Sequence, residues 1–483
     1  MARTDSIPAV LDELEAIYDR SVDQLREALG AFARDGTRPP PEARSDGRFA
    51  YPELRVDYDG RTPRPALSRA FARLSQAGTY AASIARPALF REYLQSQLEL
   101  LVRDYGAHIS VGRSRSEIPY PYVLDGSGLD LSGISAAELA DVFPSTELVH
   151  IGDEIADGVW EARGQTVRPL ALFDGPRTDF SLARLKHYTG TPAEHFQQFV
   201  LFTNYIRYVD EFVQFAIAEL RRPDSPYSAL SVPGALFTSG DAADAEAQIA
   251  AGTWRRHQMP AYHLIGKSGT GITLVNIGVG PSNAKTICDH IAVLRPEVWL
   301  MIGHCGGLRP SQTIGDYVLA HAYLRDDHVL DDVLPVEIPL PAIAEVQTAL
   351  FDAALAVTGE DESGVKDRLR TGTVVTTDDR NWELRFTLSA RRFNQSRAVA
   401  IDMESATVAA QGYRFRVPYG TLLCVSDKPI HGELKLPGPA DSFYQRAIGQ
   451  HLRIGIETLT LLKDAGEALH SRKLRSFDEP PLR

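Results

Sequence analysis

Cysteine is scarce in this chain: 483 residues carry three, Cys288, Cys305 and Cys424. So few, set so far apart, they exclude a disulfide framework and a zinc cluster and point to a reducing compartment. Long apolar runs are absent too, since no stretch approaches the roughly 18 consecutive apolar residues of a membrane span. Cations are outnumbered, with 51 Lys and Arg against 63 Asp and Glu and a formal net charge of −12. That balance speaks against a general nucleic-acid binder, whose affinity comes from clustered cations that release counterions. Any anionic ligand must be caught by a local basic or backbone-amide pocket. The opening stretch MARTDSIPAVLDELEAIYDR reaches acidic residues at once and lacks an apolar leader core, so the expectation is a cytoplasmic protein with neither nucleic acid nor membrane as partner.

What is present is ordinary globular material, 44% hydrophobic and 24% charged. At roughly 100 to 200 residues per domain the length asks for two or three domains. Apolar residues at helical spacing predict a helix over Pro8–Leu29, and a turn-rich stretch covers 35–47. Period-two alternation predicts strands over Tyr51–Gly60 and Thr79–Ala85, and Pro87 opens a helix to Val102. The interval Glu117–Asp153, broken by prolines and glycines, reads as strands and loops. This part is an α+β module. The stretch Arg163–Pro176 lacks periodicity and reads as a linker, followed by a helical block over Phe180–Leu220. The boundary is set at 175/176, giving domains 1–175 and 176–483.

From Tyr227 onward near-continuous apolar strands alternate with amphipathic helices, the pattern of a mostly parallel sheet covered on both faces. The second part is α/β. The end HSRKLRSFDEPPLR reads as a surface extension. Ligands of such sheets bind outside the carboxyl ends of the strands, and four of those ends are unusual. VNIGVGPSN places Gly278 and Gly280 before a helix start, where backbone amides can face a ligand, although it lacks the full dinucleotide or P-loop pattern. WLMIGHCGGLRP surrounds His304 and Cys305 with Gly303, Gly306 and Gly307, which implies exposed amides or positive φ; His304 is a candidate for substrate contact and Cys305 for packing. AVAIDMESATVAA sets Asp402 and Glu404 around Met403 at a strand-to-helix junction, where a carboxylate can accept from the vicinal hydroxyls of a sugar or simply charge a helix start. YGTLLCVSDKP places Asp427, beside Ser426, where burial would make it a proton donor near neutrality. Two further stretches carry less. LRDDHVLDD is rich in acids but has no metal-ligand spacing, so it reads as a solvated loop and no metal is expected. RTGTVVTTDDRNWELR offers Trp382, a ring suited to stacking on a base or to the core.

In their order and spacing these strand ends resemble the nucleoside phosphorylase and nucleosidase superfamily. Over most of the chain the resemblance is closer still, to the AMP nucleosidase family, through ITLVNIGVGPSNAKTICDH, WLMIGHCGGLR, LRTGTVVTTDDRNWELR and LLCVSDKPIHGELKLPG, and through DYGAHISV, EIPYPYVLDGS and FVLFTNYIRYVDEF earlier. The resemblance implies a three-layer α/β catalytic domain with a central mixed sheet behind an N-terminal α+β domain that is regulatory, and hydrolysis of AMP to adenine and ribose 5-phosphate. It implies that Asp427 protonates the purine, that Glu404 holds the ribose hydroxyls, and that Met403 lies against the sugar. It further implies no cofactor in catalysis, Mg-ATP as allosteric activator, inorganic phosphate as inhibitor and a homohexamer. Two departures stand out: His304 occupies a loop position where many phosphorylases have Ser or Thr, and Lys428 is the nearest counterpart to an arginine that assists the acid. For the 5′-phosphate, Gly234 and Arg207 are the candidates. A purine nucleoside phosphorylase, a methylthioadenosine-type nucleosidase and a non-catalytic nucleotide sensor stay open as alternatives.

Overall fold

The computed structural model describes residues 6–61, 70–162, 164, 166–241, 245–252, 256–433, 441–469 and 471–483. The chain forms two compact units, Met1–Ala183 with Ser476–Arg483, and Arg184–Arg475. Sequence placed the boundary at 175/176; the units divide inside the helix Gly175–Thr189.

In the first unit the helix Ile7–Asp35 starts at Ser6, whose side chain accepts the Ala9 N–H, and ends at Gly36 with φ +75°. It packs on a four-stranded sheet of β1 (Ala50–Tyr58), β2 (Gly78–Ser83), β3 (His108–Glu117) and β4 (Val167–Pro169), in the order β3-β1-β2-β4. Leu25 and Leu29 of that helix meet Phe49, Tyr51 and Phe143 in the core. Beyond Glu117, the expected strands up to Asp153 do not form. The prolines there lack the N–H that a ladder needs, and the chain instead makes short 3-10 turns and one helix, Ala136–Val142, held by a Ser135–Glu138 capping box.

The C-terminal residues are also not a surface extension. Leu482 is 1% exposed, pairs with Ala171 and donates its N–H to the Leu170 carbonyl at 3.0 Å. The Arg483 guanidinium stands 5.0 Å above the Phe71 ring. A polar, proline-containing composition masks the buried Leu474 and Leu482. Truncation after Arg475 is therefore expected to cost the first unit about 2 to 4 kcal/mol, from a lost buried leucine and a lost backbone bond, read by urea denaturation.

The second unit is built on ten strands: β5 (Phe199–Thr203), β6 (Tyr227–Val232), β7 (Ala235–Thr238), β8 (Ala261–Gly266), β9 (Ile272–Asn276), β10 (Val298–Gly307), β11 (Tyr317–Asp326), β12 (Leu369–Thr377), β13 (Ala400–Asp402) and β14 (Tyr419–Asp427). Their order is β13-β12-β11-β14-β10-β5-β9-β8-β6-β7. Parallel pairs (β5 with β9 and β10, β10 with β14, β11 with β12, β12 with β13) mix with antiparallel ones. An extra antiparallel pairing, Gly306 with Ile401 and Gly307 with Ala400, joins β10 to β13 and closes five strands into a ring. Helices Pro281–Ile291 and Ser405–Phe415 pack together, as do Ile206–Leu220, Ala344–Thr358 and Asp441–Ala465, giving the α/β layers.

Three local expectations change here. The block Phe180–Leu220 is not continuous helix, because β5 interrupts it. All five residues of β5, FVLFT, are buried in mid-sheet, and a short apolar run of that kind has no periodicity to separate strand from helix. The glycines of the His304 loop do not adopt positive φ; they lie within β10. Their role is space, since a Cβ on Gly303 would stand 2.6 Å from Asn204 Oδ1, and one on Gly306 3.1 Å from Ile401 Cγ2 where the ring closes. The acidic loop is not simply solvated: Asp327 is buried and accepts from Thr407 Oγ1, while Arg325, also buried, pairs with Asp331 at 3.0 Å.

Candidate active site

The carboxyl ends of β5, β9, β10, β12, β13 and β14 converge on a cleft of about 300 Å³. The four ends singled out in the sequence, those of β9, β10, β13 and β14, all reach it, and β5 adds Asn204 and Tyr205 to the wall.

Glu404 stands at the N-cap position of the helix Ser405–Phe415, with its side chain turned to other partners, and is fully buried. Its Oε1 accepts the Gly280 N–H at 2.6 Å and its Oε2 accepts Asn204 Nδ2 at 2.7 Å. Gly280 reaches it because φ there is +118°, and Gly278 sits at φ +66°, both conformations that glycine adopts without Cβ strain. Burial first, and then the nearby Asp402, hold the Glu404 carboxyl well above the ordinary carboxylate range. Asp402 is itself raised by burial and is held by Thr376 Oγ1 at 2.6 Å and by the Ser405 N–H at 2.9 Å. A carboxylate fixed by two donors, its remaining lone pairs turned to a cleft, suits a diol.

Asp427 closes β14 on another wall of the cleft and is half-buried. Ser426 Oγ donates to its Oδ1 at 2.6 Å. Lys428 does not assist it. The ammonium is buried and turned away, bonded to Glu433 Oε1 at 2.6 Å and to the Pro310 carbonyl at 3.4 Å. His304 and Gly306 line the cleft from β10, Met403 from the end of β13, and Trp382 from the segment after β12. Trp382 is core as well: it is buried and meets Phe393 edge-on at 5.2 Å. Cys305 is buried and its thiol pushed up by burial, which suits packing and not attack.

The charge inside the cleft is lopsided. Asp379, Glu383, Asp402, Glu404 and Asp427 line it against one guanidinium among the described residues, Arg380. Asp379 is neutralised by Arg385. Such a field favours a cation at the centre and disfavours an anion unless a guanidinium meets it. Arg207 lies at the start of the helix Ile206–Leu220, 6.0 Å above the Tyr205 ring, beside the cleft and not in its lining. Gly234, at φ +83° in the β6–β7 hairpin at the far edge of the strand order, is not brought to the cleft.

Comparison with known proteins places the chain in a family. The family model "Bacterial AMP nucleoside phosphorylase N-terminus" matches residues 9–167, and "Phosphorylase superfamily" matches 236–459. The chain is 63% identical over 473 residues to the AMP nucleosidase of Escherichia coli (strain K12), covering 98% of this chain and 97% of that one. The chain belongs to the AMP nucleosidase family. It also shows 25% identity over 206 residues, 42% of its own length and 81% of the other's, to a guanosine phosphorylase of Halorubrum lacusprofundi. A crystal structure of AMP nucleosidase from Bacteroides thetaiotaomicron VPI-5482 aligns with a TM-score of 0.43 and 26% identity over 59% of this chain and 98% of that one.

Among the residues of this AMP nucleosidase-family cleft that escaped the sequence reading, Asn204 and Arg380 carry the most chemistry. Asn204 follows an apolar run just as the other strand-end residues do, so reading FVLFT as a strand would have found it. Arg380 stands in TTDDRNWELR, two positions before the Trp382 that drew attention.

Proposed function

We propose that this chain hydrolyses the N-glycosidic bond of AMP to adenine and ribose 5-phosphate, with Asp427 protonating the purine and Glu404 holding the ribose hydroxyls. The observation that carries the reading is one cleft, in a chain of the AMP nucleosidase family, lined by both a caged Glu404 and Asp427. Breaking a glycosidic bond passes through an oxocarbenium-like sugar, so the needs are a proton for the leaving group and negative charge near the ribose. The acidic lining supplies the second, and Met403 gives the sugar an apolar support. Trp382 offers a face or edge to the base. No cofactor takes part.

The 5′-phosphate must then meet a cation locally. Arg207, backed by Arg380, is our assignment. Arg207→Ala is expected to raise KM for AMP by about tenfold or more, the loss of one charge-assisted contact, while KM for adenosine stays put; an unchanged KM for AMP removes Arg207 from the site.

The test of the reaction is to incubate the protein with AMP, adenosine and methylthioadenosine, with and without inorganic phosphate and Mg-ATP, and follow free adenine. Adenine from AMP without added phosphate is the expected result. Adenine from adenosine but not AMP, or ribose 1-phosphate formed only with phosphate, would overturn it, and no adenine at all would favour the sensor. Activation by Mg-ATP through the first unit, inhibition by inorganic phosphate, a homohexameric assembly and a cytoplasmic location complete the proposal; the first three rest on the family resemblance and the last on the scarcity of cysteine.

A further inference from the structure

Hydrolysis also needs a group to take a proton from the attacking water. Glu404 is committed to the ribose, and Asp427 must keep its proton for the purine. His304 is the one imidazole among the described residues of the cleft. Its ring is held between aromatic walls, with centroids 4.6 Å from Tyr205 and 5.2 Å from Tyr208. Tyr208 cannot swing away, because its hydroxyl is tied to buried His451. The Nε2 of His451 must donate to the Leu422 carbonyl at 2.9 Å, which leaves Nδ1 to accept the Tyr208 O–H at 2.7 Å.

The backbone of His304 is fixed by the residue that fixes Glu404. Asn204 Oδ1 accepts the His304 N–H at 3.3 Å, and Asn204 Nδ2 donates to Glu404 Oε2 at 2.7 Å. One side-chain amide thus sets the distance between the ribose anchor and the imidazole. The fit is close enough that position 303 has no room for a Cβ beside Asn204.

We propose that His304 orients the attacking water and takes its proton; the proposal rests on the roles given above to Asp427 and Glu404. In the step, a lone pair of the water oxygen forms the bond to C1′ as the C1′–N9 pair leaves with adenine. The water proton passes to a ring nitrogen of His304, and the Asp427 proton passes to N7 of the purine. After the products leave, His304 gives its proton to solvent and Asp427 regains one.

The test uses the full chain with His304→Ala, His304→Gln and, for contrast, Asp427→Asn. Both His304 variants are expected to release adenine about 10²- to 10⁴-fold more slowly, the range for loss of a positioned base, with KM for AMP little changed. Sodium azide, a nucleophile with no proton to lose, should restore adenine release in His304→Ala and yield ribosyl azide 5-phosphate, yet leave Asp427→Asn slow. Wild-type turnover of AMP in the same assay separates the two readings, since its absence overturns the parent reaction and this assignment with it, while the outcomes for the His304 variants bear on this assignment alone. Full activity in His304→Gln, which keeps polarity but cannot take a proton, overturns the proposal. So does an azide-insensitive His304→Ala that still binds AMP by calorimetry.

Discussion

Asp427→Asn lowers kcat for adenine release from AMP by about 10²- to 10⁴-fold, the span that a positioned general acid contributes, while KM moves little. The amide keeps the shape of the carboxyl and can still accept from Ser426, which bonds Asp427 at 2.6 Å in the wild type, so the wall of the cleft should not shift. What is lost is the proton. Lys428 cannot replace it, because its ammonium is engaged with Glu433 and the Pro310 carbonyl. The chemistry supplies a control: AMP methylated at N7 already carries the positive charge that protonation would create, and its base leaves unaided. Asp427→Asn should therefore turn over the methylated substrate at close to the wild-type rate. Equal losses on both substrates would mean that Asp427 supports the fold of the cleft and not the leaving group.

Glu404→Gln is expected to trade activity for stability. On the proposed role, two hydrogen bonds to the ribose hydroxyls weaken, at about 0.5 to 1.5 kcal/mol each, so kcat/KM falls by about tenfold or more. Stability moves the other way, and the sign follows from linkage. Burial and Asp402 raise the Glu404 carboxyl in the folded protein, so above the ordinary carboxylate range the folded state holds a proton that the unfolded chain has released. The unfolded state then binds fewer protons, and stability falls as pH rises through that interval. Removing the titrating group from the Asp402–Glu404 pair flattens the decline. Thermal scans of the ligand-free protein should show wild type losing Tm from pH 5 to pH 8, and Glu404→Gln losing less and melting higher at pH 8. Parallel Tm curves for the two proteins would contradict the raised carboxyl.

The strand ends that carry Gly280, His304, Glu404 and Asp427 were legible because each ends an apolar run with a glycine or an acid, a local pattern that survives without knowledge of the fold. Asn204 was not, since FVLFT at the sheet centre has no alternation to betray a strand, and it lay inside what reads as a helical block. The glycines around His304 were noticed for the wrong reason. Their need for space arises from Asn204 and Ile401, 99 and 95 residues away in sequence, and no short-range rule anticipates contacts of that reach. The same holds for the pairing of β10 with β13, for Leu482 returning to the first unit and for Lys428 reaching the Pro310 carbonyl. In each case tertiary pairing decided between conformations or partners that local composition left equal.

The closed five-stranded ring has a consequence for how such a cleft can be altered. His304, Glu404 and Asp427 sit in or directly after ring strands, where the pairings of Gly306 with Ile401 and with Asp427 fix their relative register. The segment after β12 is different: Leu384 and Leu388 are 84% and 75% exposed, although Arg380, Trp382 and Glu383 beside them face the same cleft. Randomising residues 379–381 and 383–388, with the buried Trp382 kept, should therefore yield folded proteins with new preferences for the base or phosphate, whereas equivalent libraries in the ring should yield mostly unfolded chains. With the roles proposed above, the bond-breaking groups and the segment that would set selectivity sit on different pieces of the chain, so the second can be changed without disturbing the first.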